Sequence, residues 1–410
     1  MAALGMPLSL GMEETMTTTT GTIAPSLGFQ QAARHMWDVA IVGAGPSGAL
    51  AARELARRGA SVLLIDKAAF PRRKVCGCCV NAAALGILRT VGLEALPDQL
   101  GARPLHELLL VAGQRRVRIA LPSGVALSRE VLDPALIQQA IQAGASFLPH
   151  TAATLDCGKE RFHQLTLRCG EQQIGVAARV VLVANGLGGG MVQHGPTTKP
   201  RQVDRSRIGV GTIIDEVPRW YRGGTISMVC GSGGYVGLVQ LEGGRLNVAA
   251  ALDPTFVRST RGPGSAVAKL IAQAGLPQVN GLKEGSWRGT PRLTQHSVCL
   301  AQERLFVIGD AAGYVEPFTG EGIAWALWCG VAVTPLALEA IRRWTPAVSN
   351  RWEALYREQV SRRQWAGRLL ATMLRRATLT HAAIEVLSWV PSLAAPMVQY
   401  VNAPLPVHFN

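Results

Sequence analysis

The stretch Trp37–Asp66 reads WDVAIVGAGPSGALAARELARRGASVLLID, and its layout decides the architecture. Trp37–Val42 is a short apolar run of strand type. Ala49–Arg58 carries a helical pattern closed by Gly59, the residue favoured just past a helix end, and Ser61–Ile65 is a second apolar strand. Between the first strand and the helix stand Gly43, Gly45 and Gly48, spaced G-x-G-x-x-G. Gly43 permits the tight turn, Gly45 lets the backbone approach a pyrophosphate, and Gly48 lets helix and strand pack closely. The helix N-terminus supplies free N–H groups and a positive dipole end for that pyrophosphate. Asp66 closes the unit where a carboxylate would meet a ribose hydroxyl. The unit predicts a dinucleotide cradled by Gly43, Ala44, Gly45, Pro46, Ser47, Gly48 and Asp66.

Outward from this unit the chain alternates. Leu108–Val111 and Arg116–Ala120 read as a hairpin about Gly113, Leu132–Ala143 as a helix, and Arg179–Ala184 as a buried strand ending in a glycine-rich loop. From Ile208 to Leu252, glycines recur between β-rich runs, which predicts an antiparallel sheet. Ala266–Ala274 is helical. Leu305–Ile308 is a strand that runs into GDAAGYVEPFTGEGIAWAL, Gly309–Leu327. Val333 to about Trp389 is helical and rich in Arg and Trp. Ile323–Leu338 is uncharged but too short to span a bilayer, and Pro335 interrupts it.

The second glycine-rich motif carries a family resemblance. Asp310 after Gly309, then Pro317, Gly320 and Gly322 leading into Ile323, resemble the FAD-dependent superfamily of para-hydroxybenzoate hydroxylase-type monooxygenases, flavin halogenases and geranylgeranyl reductases. That resemblance implies that Asp310 binds the FAD ribityl chain. It also implies that the Pro317–Gly322 turn lies beneath the isoalloxazine, with the following helix pointing its N-terminus at the reduced flavin's negative charge. Arg129 resembles the family's arginine that reaches the flavin linker and phosphates. Asp66, Lys67 and the run Phe70–Gly77 resemble the geranylgeranyl reductase branch, in which a Lys-x-Cys-Gly stretch, here Lys74, Cys76 and Gly77, passes close to the flavin. Three departures stand out. Asn185 replaces the monooxygenases' aspartate, only Tyr235 survives of the reductases' aromatic roof strand, and the halogenases' Trp-x-Trp stretch is absent.

Within RRKVCGCC, Arg72–Cys79, the three cysteines lack the second ligand pair of a zinc site, so no metal is expected. A disulfide among such close neighbours would be strained. The loop is read as passing over the cofactor, with Lys74 and the arginines lowering the Cys76 thiol pKa. Cys76 is then either a proton donor or a small pocket wall. Tyr235 is either a substrate-placing residue or a half-buried packing residue. Trp325 and Trp328 are simplest as core, and the arginines and Trp344, Trp352 and Trp365 as a solvated, packed helix.

The 410 residues, 48% hydrophobic and with a net charge of +14, allow two lobes and a tail. The charge suits an anionic cofactor or membrane, while the scattered arginines argue against nucleic acid. The eight cysteines point to a reducing, cytoplasmic setting. Peripheral membrane contact through the tail stays open, and no oligomeric state follows. The predicted fold class is α/β, with a discontinuous Rossmann-type FAD domain, an antiparallel substrate sheet and a helical C-terminal segment. Its expected parts are a disordered leader or early start over 1–36, FAD-domain parts at 37–105, 129–200 and 291–340, a hairpin at 106–128, the substrate sheet at 201–290, and helices at 341–410. The expected cofactors are FAD and NAD(P)H as reductant. The expected reaction leans to hydroxylation of an aromatic or polyketide-like hydrophobic small molecule through a C4a-peroxyflavin. The alternative is reduction of an isoprenoid-like C=C bond, with halogenation third.

Overall fold

The computed structural model describes residues 21–156, 162–187, 201–203 and 206–407. Its central sheet runs, in spatial order, Ala301–Gln302, Leu305–Val307, Gln172–Val183, Trp37–Val42, Val62–Ile65 and Ser146–Leu148. Trp37–Val42 pairs in parallel on both sides, Val42 facing Ile65 and Val183. These strands are nearly continuous apolar runs because both faces of the sheet are covered, so no polar face is needed. One cover is the helix Pro46–Ala56, which packs closely on a second helix, Gly322–Arg342.

The second sheet has the order Arg288–Arg292, Ile208–Ile214, Leu246–Leu252, Gly234–Gln240, Thr225–Gly231, Glu107–Ala112 and Arg115–Ala120. Its pairs are antiparallel except one. Thr225–Gly231 runs parallel to Glu107–Ala112, which corrects the wholly antiparallel sheet expected from sequence. The hairpin Glu107–Ala120 joins the sheet from far upstream, and a strand returning after so long a crossover is free to pair in parallel. Alternation along the strands sorts the side chains. Val229, Val236, Leu238 and Val248 turn to the helix Pro263–Gln273, whereas Met228, Cys230, Tyr235 and Ala251 turn to the opposite face.

Two further expectations are corrected. Residues 21–36 form no loose leader: Ile23 donates its N–H to Phe70 O, Ser26 to Phe147 O, and the Trp37 indole to Ala32 O. Residues 1–20 lie outside the described residues. Pro335 does not interrupt its helix, which runs unbroken from Gly322 to Arg342. Losing one backbone bond is tolerated there because packing on almost every side holds the helix in place. That helix is long and apolar enough to cross a membrane by length and composition, but most of it is buried inside the protein.

The C-terminal segment folds into helices Pro346–Tyr356, Arg362–Met373, Ala377–Trp389 and Ala395–Asn402. Trp352 is fully buried and stacks on Trp328, ring centres 6.2 Å apart, so it is core and not a solvated helix residue. Trp365 is 61% exposed.

Candidate active site

A cavity of about 780 Å³ lies between the two sheets, floored by the parallel layer and roofed by Gly234–Gln240 and its neighbours. At one end it reaches the N-terminus of the helix Pro46–Ala56. Gly43 sits at φ +112°, and a Cβ there would lie 2.2 Å from Ala184 O. A Cβ on Gly48 would lie 1.9 Å from Gly43 O, so these two glycines serve the packing of the turn. Gly45 differs: its Cβ would meet only guanidinium nitrogens of Arg129, at 3.5 Å, and Arg72, at 4.0 Å. An open backbone surface facing two cations beside a helix N-terminus fits a pyrophosphate. The Ser47 hydroxyl, buried and without a partner, also lines this end.

Asp66 stands behind the turn. It accepts from the N–H of Ala44 at 2.8 Å and of Ala68 at 2.9 Å, and pairs with Arg72 at 3.3 Å. The carboxylate thus braces the glycine loop, while Gly43, Ala44 and Gly48 also lie behind the cavity wall. Lys67 is corrected outright. It is exposed and contributes nothing to the cavity lining.

Farther along, Lys74, Cys76, Gly77, Arg129, Gly309 and Asp310 line the cavity together. Burial lowers the Lys74 pKa, reinforced by Arg129, and Asp310 acts in the opposite direction. Burial raises the Asp310 pKa, while Lys74 and Arg129 pull it back. Burial works against the charge on Arg129, but a bidentate pair with Asp133, at 2.5 and 2.8 Å, overrides it and keeps the guanidinium protonated. Fixed cations near the glycine turn and a carboxylate beside them suit an anionic, polyhydroxylated group. These residues fit FAD.

The thiol of Cys76 is lowered to about 6. The leading cause is a hydrogen bond from the Cys78 thiol, which outweighs burial, and Arg129 and the Cys78 N–H add to it. That N–H lies 3.3 Å from the Cys76 sulfur. Asn247 Nδ2 donates to Cys76 O at 3.0 Å and ties the loop to the roof sheet. Cys79 is pushed up to about 12 by burial.

The turn Pro317–Gly322 forms the opposite wall, with Pro317, Gly320, Gly322 and Ile323 all on the cavity. Above it, the Tyr235 ring meets Phe318 edge-on, centres 5.0 Å apart. The Tyr235 hydroxyl is buried and has no partner among the described residues, and burial raises its pKa well above the ordinary value. Beyond Tyr235 the cavity is walled by Leu108, Leu110, Ile119, Met228, Ile384 and Leu387.

Sequence reasoning missed the support under Tyr235. Arg207 is fully buried, pairs with Glu316 at 2.9 Å and lies 5.7 Å from the Tyr235 ring centre. Glu316 also pairs with Arg375 at 3.2 Å. A carboxylate inside the otherwise apolar GYVEPF was a visible signal for Glu316. Arg207 had none, because its partners are distant in sequence. Among the described residues no cluster of His, Cys, Asp and Glu could hold a metal ion.

Comparison with known proteins agrees with this geometry. The family described as FAD binding domain matches residues 36–228. The chain is 27% identical over 356 residues to digeranylgeranylglycerophospholipid reductase 1 of Methanothermobacter thermautotrophicus, covering 79% of this chain and 83% of the relative. It is 29% identical over 344 residues to menaquinone reductase of Mycobacterium tuberculosis, covering 77% and 80%. Among solved structures, a geranylgeranyl bacteriochlorophyll reductase-like protein from Thermoplasma acidophilum superposes with TM-score 0.71 at 20% identity, over 90% of this chain and 96% of that one. The p-nitrophenol 4-monooxygenase of Pseudomonas putida gives TM-score 0.71 at 13% identity, over 91% and 99%. The last two similarities speak to the fold alone.

Proposed function

We propose that this chain is an FAD-dependent oxidoreductase of the reductase kind, one that saturates C=C bonds of an isoprenoid-like chain. The observation that carries this reading is the aliphatic arm of the cavity beyond Tyr235, which offers a long apolar chain contact along its length. The reductase names of the sequence relatives support it too. The balance therefore moves from hydroxylation, toward which the sequence alone leans, to reduction.

Bound FAD supplies hydride transfer, and NAD(P)H is proposed as its reductant. The protein's part is to bind, orient and place a proton. Gly45, Ser47 and Arg129 would hold the pyrophosphate end, Lys74 and Asp310 would bind along the middle of the cofactor, and the Pro317–Gly322 turn would carry its ring. The arm beyond Tyr235 aligns the alkene and excludes water. Saturation adds one hydride and one proton across the double bond. At neutral pH Cys76 is mostly thiolate, so it stabilises nearby positive charge instead of giving up a proton. Tyr235 stays protonated and lines the cavity, and its hydroxyl is buried with no partner among the described residues, so it is the group that would hold the proton for the alkene carbon.

An anaerobic assay tests the reading. The flavin should bleach with NADH or NADPH, and the reduced enzyme should convert a geranylgeranyl lipid or menaquinone to a product heavier by one H₂ per saturated bond. A product formed only with O₂, and carrying an added oxygen atom, overturns the proposal in favour of the hydroxylase.

A further inference from the structure

The helix Ala377–Trp389 covers the cavity with one face and leaves large apolar side chains uncovered elsewhere, beside the polar Thr378, His381, Glu385 and Ser388. Thr380, Ala383, Ile384 and Leu387 share one face and line the cavity. Leu379, Val386 and Trp389 lie outside that face and are 45%, 54% and 75% exposed. The exposure is also concentrated. Besides these three, Trp365, Leu369, Val390, Leu393, Met397 and Tyr400 are exposed, a density of large apolar groups well beyond the scattered singles of an ordinary surface.

Two observations say what covers this face. First, Leu393 and Met397 are exposed and also line the cavity, so the patch surrounds an opening into the aliphatic arm. A partner protein or second copy seated here would close that opening. A lipid phase would extend it. Second, the charge is complementary to an anionic surface. From Val386 to Asn410 the sequence has no Lys, Arg, Asp or Glu, while the preceding helix is arginine-rich. On that helix, exposed Arg362 precedes Trp365 and Leu369 along one face, and exposed Arg376 caps the next helix. Neither arginine has an ion pair among the described residues. Glu385, the acidic residue nearest the patch in sequence, is taken up by Arg115 at 2.7 Å. Tryptophan and tyrosine beside arginine at the edge of an apolar face is the composition of an interfacial helix.

We propose that the surface formed by Ala377–Trp389 and Ala395–Asn402 seats on an anionic bilayer, and that the opening at Leu393 and Met397 admits apolar substrate directly from it. The seat concerns where the enzyme sits and does not depend on which reaction the flavin performs.

The test is sedimentation of the FAD-loaded full chain with phosphatidylglycerol-containing and pure phosphatidylcholine vesicles. The protein is expected to pellet with the anionic vesicles and to release as salt rises. The double substitution Val386→Ser, Trp389→Ser should stay in the supernatant with unchanged flavin absorbance and circular dichroism. Arg362→Gln with Arg376→Gln should weaken anionic-vesicle binding by about fivefold per arginine engaged, with little effect on phosphatidylcholine. The proposal is overturned if the parent protein stays in the supernatant with every vesicle, or if the serine double variant pellets as well as the parent. A dimer that ignores vesicles and dissociates on the serine substitutions also overturns it, making the face an interface between two copies.

Discussion

The backbone N–H of Cys78 donates to the sulfur of Cys76 at 3.3 Å, and the Cys78 thiol, which donates to Cys76 O at 3.6 Å, lies beside the same sulfur. The Cys78 side chain and N–H together stabilise the thiolate, which is why Cys76 falls to about 6, while the same interaction with Cys76, and then burial, drives Cys78 upward and burial drives Cys79 upward. Alkylation of Cys76 by iodoacetamide, followed by peptide mass spectrometry, should therefore rise through an inflection near pH 6. Cys78→Ala removes the thiol donor and should move that inflection towards about 8.5, the ordinary thiol value. An unshifted inflection in the variant would show that the Cys78 thiol does not set the Cys76 pKa.

Gly45 and Gly48 lie three residues apart in one motif and should respond differently to the same methyl group. Gly48→Ala places a Cβ 1.9 Å from a carbonyl oxygen and should prevent folding of the unit. Gly45→Ala meets nothing closer than 3.5 Å and should fold, with its thermal transition kept. It should nevertheless lose FAD affinity by about tenfold or more, roughly 1.4 kcal/mol, because the methyl occupies the pyrophosphate's approach. Equal FAD affinity in Gly45→Ala and the parent would move the pyrophosphate elsewhere.

This pair also shows what could be read from sequence. The spacing of Gly43, Gly45 and Gly48 encodes a local turn, and local turns are legible because every contact lies within a few residues or in the adjoining strand. The same holds for Asp310 and the turn Pro317–Gly322. What stayed hidden is long-range. Arg207 finds Glu316, more than a hundred residues away, and Glu107–Ala112 pairs in parallel with a strand equally distant. Ile23 looks like part of a featureless leader until Phe70 supplies its acceptor. Asp66 was visible as a carboxylate after a strand, but its bracing of the Ala44 and Ala68 amides was not.

Glu316 accepts from Arg207 at 2.9 Å, both side chains being out of solvent, and losing Glu316 would leave Arg207 only its longer pairing with Asp253 at 3.5 Å. Glu316→Ala should therefore cost about 3–5 kcal/mol in urea unfolding. A loss under about 1 kcal/mol, the range of an exposed pair, would mean that water or Asp253 compensates Arg207.

Glu321 begins the helix under the flavin turn. Burial raises its pKa to about 7, against the weaker opposing effects of Thr319 and Arg363. A carboxyl whose folded pKa is raised contributes stability that is complete below its unfolded pKa, about 4.5, and is lost as pH rises through about 7. The parent protein should thus lose stability relative to Glu321→Gln between those values. Thermal melts across that window check it, and parallel pH profiles for the two proteins would refute it.

The hydroxyl of Tyr235 has no hydrogen-bond partner among the described residues, so its removal separates packing from chemistry. Deleting a buried, unsatisfied hydroxyl leaves no orphaned partner behind, and the ring contact with Phe318 at 5.0 Å survives in Tyr235→Phe. The melting temperature should hold or rise slightly. Turnover, however, should fall by about 10²-fold or more if the hydroxyl supplies the proton, because a positioned acid contributes on that scale. Flavin reduction by NAD(P)H should be unchanged, since no proton from Tyr235 enters that step. Undiminished turnover in Tyr235→Phe would reduce Tyr235 to a wall of the cavity and return the search for the acid to the Cys76–Cys79 loop.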